Sequence, residues 1–398
     1  MSRDGILFAC LAGLTLAAAT AAANRFVPPD HPMCGDEGHF VDTVRDFGAG
    51  VTWHKLRTYE EMSTPLPFLV YAAWGTVVGL DIPALRWGNC LIGWLACLAV
   101  YRLATAVGLD RAERWLMAAW FLALPYTLYL SAFVHTDMLA VLALTCGLTG
   151  VVRRRWASAG VWLAAALLSR QYLIYAPVGV AGYGFWRAFR RGDRGAAVGG
   201  LVTAGLAVAP TVALFAFWGG PHPANRLHAI YTGTAFAYHP ESLLVYLAVI
   251  PTYLAPYFVR EFVRVRPRGW EIVAGLAAGG VVAAAPVGPS PSAVAAGLDT
   301  IGLFHRLVRT AGSRSLEQGA FAVGLGFAAV AILRAARGYR SGRRARDEAV
   351  LCDLIAVAFL AVMPFSYLHW EKYLLPLVPV LALRMATPLA GETEVENR

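Results

Sequence analysis

The residue types in this chain that could do chemistry fall in a few short clusters. Gly35-Asp36-Glu37-Gly38-His39 sets two carboxylates beside an imidazole, and Ser63-Thr64-Pro65 offers hydroxyls ahead of an apolar stretch. His135-Thr136-Asp137, Ser169-Arg170-Gln171-Tyr172 and His369-Trp370-Glu371-Lys372-Tyr373 follow, with Trp218-Gly219-Gly220-Pro221-His222 and His305-Arg306 between them. A carboxylate such as Asp36 or Glu37 can take a proton from a hydroxyl as it attacks, and arginine, lysine or amide groups can hold an anion. Each cluster also has a structural reading. Asp36 and Glu37 can solvate a loop or cap a helix, and Asp137 can sit as a helix N-terminal carboxylate. His369 and Lys372 can anchor an interface beside Trp370 and Tyr373. Gly219-Gly220 can be only a turn. Arg170 is the hardest to set aside. Leu167, Leu168, Leu173 and Ile174 surround it, so its charge requires an anion or a carboxylate partner.

The elements that must position these groups are membrane helices. The 398 residues are 58% hydrophobic and 15% charged, with mean hydropathy +0.54, which is too apolar for a water-soluble domain. The net charge of +9 does not point to nucleic acid, because the arginines sit in short clusters between apolar runs and not on one face. Cys10, Cys90, Cys97, Cys146 and Cys352 lie in or beside apolar runs and Cys34 in a polar loop, so neither a disulfide framework nor a metal spacing is present. A site metal is not expected, although a divalent cation at the outer carboxylates is left open.

A spanning helix needs roughly 20 apolar residues, fewer when broken or half-buried. The first apolar run, 6–23, ends in alanines that imitate a cleavage site, but its length favours an uncleaved helix. With the N-terminus cytoplasmic, 25–63 is external. The arginines of 108–114 then return the chain inside, so 64–80 must dip in and out as a re-entrant or interfacial helix. Crossings alternate from there, giving an all-α polytopic bundle of about twelve spans. The clusters holding Arg153, Arg190, Arg264 and Arg343 fall inside, and Asp36, His222 and His369 outside. The two spans flanking Arg170 are short enough to be half-helices. One integral membrane domain is expected over 1–398, with outer segments at 25–85 and 287–315; residues 281–294 are rich in Ala, Pro, Gly and Ser and begin a loose outer loop.

An external Asp-Glu after the first span, a Thr-Pro opening an embedded helix, an outward Thr-Asp, a later Arg-Gln and a C-terminal aromatic-basic motif together resemble the GT-C superfamily of polyprenyl-phosphate-sugar-dependent glycosyltransferases. Asp36-Glu37 with His39, Ser63-Thr64-Pro65 and Ser169-Arg170-Gln171 are similar to the dolichyl-phosphate-glucose alpha-1,2-glucosyltransferase family, whose pattern is Asp-Glu-x-x-His, Thr-Thr-x-Pro and Arg-Gln-Thr. The likeness covers roughly the first 180 residues. Here His39 follows Glu37 by two residues and not three, and Thr64-Pro65 lacks the second threonine. The resemblance implies Asp36 as general base, Glu37 as its assistant in positioning acceptor or sugar, and His39, Ser63, Thr64, Asp137, Arg170, Gln171, His369 and Lys372 as substrate-binding groups. It implies a polyprenyl-phosphate-linked sugar donor and a glycan or lipid-linked acceptor as partners, besides membrane lipid. The membrane would be the plasma (inner) membrane of a prokaryote or the endoplasmic reticulum of a eukaryote. No Gly-rich nucleotide motif is visible, which accords with a lipid-carried donor. The rival class is a secondary transporter or lipid flippase, which would place ionisable residues near mid-membrane in paired repeats.

Overall fold

The computed structural model describes residues 2–28, 36–223, 238–264, 266–289, 293–294, 299–340, 346–366 and 368–387. Cys34, Gly35 and Arg343 lie outside these. The regular secondary structure of the described residues is all helical, and the chain divides into two compact units, 1–233 and 234–398. The sequence carries no linker at that division.

In the first unit, α1 (Arg3–Phe26) and α5 (Ile82–Ala106) are long and apolar, and Trp94 of α5 donates its indole N–H to the Ala9 carbonyl of α1 at 2.8 Å. Between them the external segment folds into α2 (Glu37–Gly48), α3 (Trp53–Thr58) and α4 (Leu66–Val78). α2 buries Glu37, Phe40, Val41, Val44 and Phe47 at helical spacing and leaves Asp42, Arg45 and Asp46 outside, so it lies as an amphipathic helix against α4. α4 has 13 residues, with Pro65 and Pro67 at its start and Gly79 at φ 106 ending it, which makes it too short to cross in regular helix.

α6 (Arg111–Ala123) and α7 (Pro125–Ala132) meet at a 58° bend. Pro125 supplies no N–H and pushes Leu124 to extended dihedrals, which ends α6 there. α8 (Asp137–Val152), α9 (Trp156–Leu167), α10 (Tyr175–Arg191) and α11 (Arg194–Trp218) complete the unit. α10 and α11 touch through glycine: a Cβ on Gly184 would stand 2.5 Å from the Ala196 carbonyl oxygen. Close backbone approach of this kind replaces the hydrophobic drive that lipid removes. Asp193 caps α11 and pairs with Arg154 at 2.8 Å and Arg187 at 2.9 Å, pinning two arginine-rich turns together.

The second unit holds α12 (Glu241–Tyr253) and α13 (Ala255–Arg264), bent by 77° just before Pro256, then α14 (Gly269–Ala284), α15 (Leu303–Ala311), α16 (Arg314–Arg340), α17 (Asp347–Val362) and α18 (Val378–Ala386). α14 and α16 pack antiparallel. At one end buried Glu271 pairs with Arg337 and Arg334, and at the other Val287 and Gln318 exchange hydrogen bonds of 2.8 and 2.9 Å. The outer segment expected at 287–315 therefore contains a helix, α15.

Five helices are long and apolar enough to cross a membrane, and seven spans result if each bent pair counts as one. Leu66–Val78, Asp137–Val152, Trp156–Leu167 and Gly269–Ala284 are apolar but shorter. Large apolar side chains stay exposed on these helices, among them Leu14, Leu201, Val212 and Leu276, as on a surface that lipid covers.

Candidate functional site

In the first unit the singled-out polar residues do converge, around the segment 59–65 at the end of the helices away from the Arg153–Arg155 turn. Glu37 is the deepest. It is fully buried and receives two hydrogen bonds from Arg86, Nε to Oε1 at 2.9 Å and Nη2 to Oε2 at 2.6 Å, and a third from the Val134 N–H at 2.8 Å. Arg86 also donates to the Ala23 and Val27 carbonyls at the C-terminus of α1, at 3.1 and 3.3 Å, and lies 4.8 Å over the Phe133 ring. Four segments are thus tied at one buried ion pair, with a cation where the α1 dipole favours one. Glu37 was expected to position acceptor or sugar. Here its oxygens are engaged inside the protein by Arg86 and the Val134 N–H, at the start of α2.

Asp36, one residue earlier, stands at the N-terminus of α2 with 38% of its side chain exposed, 3.6 Å from His39 Nε2. His39 Nδ1 meets Glu61 at 2.7 Å, and Thr43 donates to the same Glu61 oxygen at 3.3 Å. One imidazole therefore bridges a part-exposed and a buried carboxylate. Burial works against its charge, but the hydrogen bonds and charges of Asp36 and Glu61 outweigh it and raise the pKa from 6.5 to about 10. His39 is an imidazolium at neutral pH, half exposed.

Arg170 has extended dihedrals between α9 and a short 3-10 turn, Gln171–Ile174, which sends its side chain back across the unit. Its Nη2 reaches Asp137 at 2.6 Å and its Nη1 the Ser63 hydroxyl at 3.0 Å. Sequence left an anion or a carboxylate as the partner and favoured a donor phosphate; the carboxylate of Asp137 is what occupies it. Asp137 is itself fully buried at the start of α8. Gln171 donates to the Met62 carbonyl at 2.7 Å, Thr64 to the Leu167 carbonyl at 3.3 Å, and Tyr59 to the Ser63 carbonyl at 2.6 Å. The segment 59–65 is therefore held in part by side chains, Ser63, Thr64, Arg170 and Gln171, that sequence offered as ligands for substrate.

The break between α7 and α8 is held the same way. Asn89 donates to the Leu130 and Phe133 carbonyls, and the Tyr71 hydroxyl contacts Asn89 and the His135 carbonyl. Non-helical backbone beside apolar helices needs such partners. Glu61, Arg86 and Asn89 were missed by sequence reasoning, yet two carried a signal. Arg86 and Asn89 are polar side chains inside the apolar helix α5, where an unpaired group is costly. Glu61 had none beyond its acidity.

His369 and Lys372 belong to the second unit and form a separate cluster there. Glu371, buried between them, accepts from the Tyr253 hydroxyl at 2.9 Å and from the Phe304 and His305 N–H groups at 2.9 and 2.8 Å, in the first turn of α15. His305 reaches Glu317 at 3.0 Å. His369 contacts the Gly288 carbonyl at 3.2 Å, and burial holds its imidazole below the ordinary pKa despite that bond. The Lys372 ammonium lies 4.9 Å from the Trp370 ring centroid, a cation on an aromatic face. Among the described residues no three His, Cys, Asp or Glu side chains gather to hold a metal ion.

Fold and sites together define a class, an all-helical protein with several helices fit to cross a membrane and a polar network at one end of each unit's helices. Compared with known proteins, the chain matches no family model, no curated protein and no solved structure.

Proposed function

We propose that the chain is a polytopic membrane glycosyltransferase that moves a sugar from a polyprenyl phosphate to an acceptor hydroxyl, with inversion, on the extracytoplasmic face. The observation that supports this reading is the pairing of a part-exposed carboxylate, Asp36, with a half-exposed imidazolium, His39, on a buried frame at the edge of an apolar bundle. Asp36 takes the proton of the acceptor hydroxyl as its oxygen attacks the anomeric carbon. The bond from that carbon to the phosphate oxygen breaks, and the lipid phosphate leaves with the electron pair. A single displacement inverts the anomer. His39 faces the leaving phosphate as the accessible cation, while Arg170, with Asp137 and Ser63, fixes the segment beside it. The three other shorter apolar helices, α8, α9 and α14, together with α10 and the C-terminal α18, complete the bundle of about twelve crossings, with α4 as the re-entrant element.

The test is transfer by the purified chain given a polyprenyl-phosphate sugar and a glycan or lipid-linked acceptor. Asp36→Asn keeps the shape, removes the base and lowers turnover by at least about 100-fold while donor binding survives. Full activity in that variant refutes the assignment.

A second reading, a secondary transporter or lipid flippase, is supported by the bent pairs at 58° and 77°, one in each unit. It is separated from the first by substrate movement across sealed vesicles without any change in glycosidic bonds.

A further inference from the structure

The end of the first unit that carries the Arg153–Arg155 turn holds an open cleft of about 590 Å³ between α1, α5, α8 and α9. Its walls are apolar and aromatic, from Trp94, Leu95, Leu98, Leu142 and Trp162, and its rim carries Arg102, Arg153 and Arg155. A second cleft of about 400 Å³ adjoins it, sharing Leu98, Arg102 and Arg153 and adding Arg114 and the N-terminal residues Ser2 and Gly5. The two form one groove, with four arginines from three parts of the chain along its edge and no acidic side chain among its lining residues.

Three neighbouring arginines of this end are matched, Arg154 and Arg187 with Asp193 and Arg111 with Asp4 at 2.8 Å. Arg102, Arg114, Arg153 and Arg155 have no ion pair among the described residues. Four like charges around one opening repel, and an anion between them removes that cost. The apolar walls run from this rim along α5 and α8 toward the middle of the helices, and Leu95 and Trp162 remain 38% and 41% exposed on them. A water-soluble anion has no use for such walls, whereas a headgroup with an acyl chain meets both.

We propose that this groove binds an anionic phospholipid, the phosphate between Arg102, Arg153 and Arg155 and one acyl chain along Trp94, Leu98 and Trp162. The site lies at the opposite ends of α5 and α8 from Asp36 and Asp137, so its ligand is a resident lipid and not the sugar donor.

The test uses the full chain stripped of lipid in neutral detergent, with phosphatidylglycerol, phosphatidylcholine and inorganic phosphate added separately. Bound lipid is read by native mass spectrometry and stability by thermal unfolding. Phosphatidylglycerol is expected to be retained and to raise the unfolding midpoint in proportion to the logarithm of its concentration above saturation. Arg102→Gln/Arg153→Gln/Arg155→Gln is expected to weaken that effect at least tenfold, and Arg190→Gln/Arg194→Gln, at the same end but outside the groove, to leave it unchanged. Equal stabilisation by phosphatidylcholine, the same shift from inorganic phosphate, or equal weakening in the two variants would each overturn the proposal.

Discussion

Adjacent carboxylates in this chain have different surroundings, and the roles proposed for them divide accordingly. Glu37 is enclosed with Arg86, so Arg86→Met leaves an uncompensated buried acid and should cost about 3–5 kcal/mol of stability, read from denaturant unfolding in detergent. Glu37→Gln should lose stability and activity together, whereas Asp36→Asn loses activity alone. A Glu37→Gln protein that folds with unchanged stability yet cannot transfer sugar would return Glu37 to the chemistry. His39 gives a pH dependence whose sign is fixed. Its folded pKa lies above the unfolded one, so its contribution is complete below about pH 6.5 and drains away as the pH climbs toward 10. The unfolding midpoint of the native chain should fall across that window relative to His39→Gln, and parallel curves would show that the imidazolium contributes nothing.

At the scale of elements, the packing rests on small residues and on side chains that repair broken helices. Gly184 of α10 lies against the Ala196 carbonyl of α11, so Gly184→Leu must push the two helices apart. Overpacking of this kind costs about 1–3 kcal/mol, and intact α10–α11 proximity by cysteine crosslinking in the variant would show that the contact is slack. Gly184 and Gly200 are readable as small residues in apolar runs, but their pairing across two helices is not. The bend before Pro125 is written locally, since proline constrains itself and the residue before it. Which groups satisfy the exposed carbonyls of the α7–α8 break, Asn89 and Tyr71, depends on helices distant in sequence.

For the whole molecule, the arginine-rich turns and the polar clusters segregate to opposite ends of the helices within each unit. In the first, Arg102 and Arg153 oppose Asp137 and Arg86 along α5 and α8; in the second, Arg334 and Arg337 oppose Gln318 along α16. Single cysteines at positions 36 and 153 in a cysteine-free background should therefore label from opposite faces of sealed membranes. Labelling of both from one face would reverse the topology and remove the extracytoplasmic site with it.

What the sequence determined by itself is what local chemistry decides. Apolar runs had to become helices, arginine clusters were expected to share an end, and Pro65 was expected to open the re-entrant stretch. The clusters at Asp36, Ser63 and Arg170 were legible because polar groups at the edge of hydrocarbon are costly and must find one another. Their partners were a matter of tertiary structure. Glu37 with Arg86 lies 49 positions apart, Arg170 with Asp137 33 and with Ser63 107, and His39 with Glu61 22. Nothing in residue type or spacing separates a carboxylate that meets substrate from one that meets an internal arginine, because the two share a charge, a geometry and a hydrogen-bonding capacity. Only the packing gives them different surroundings, burying Glu37 and Asp137 and leaving Asp36 part-exposed.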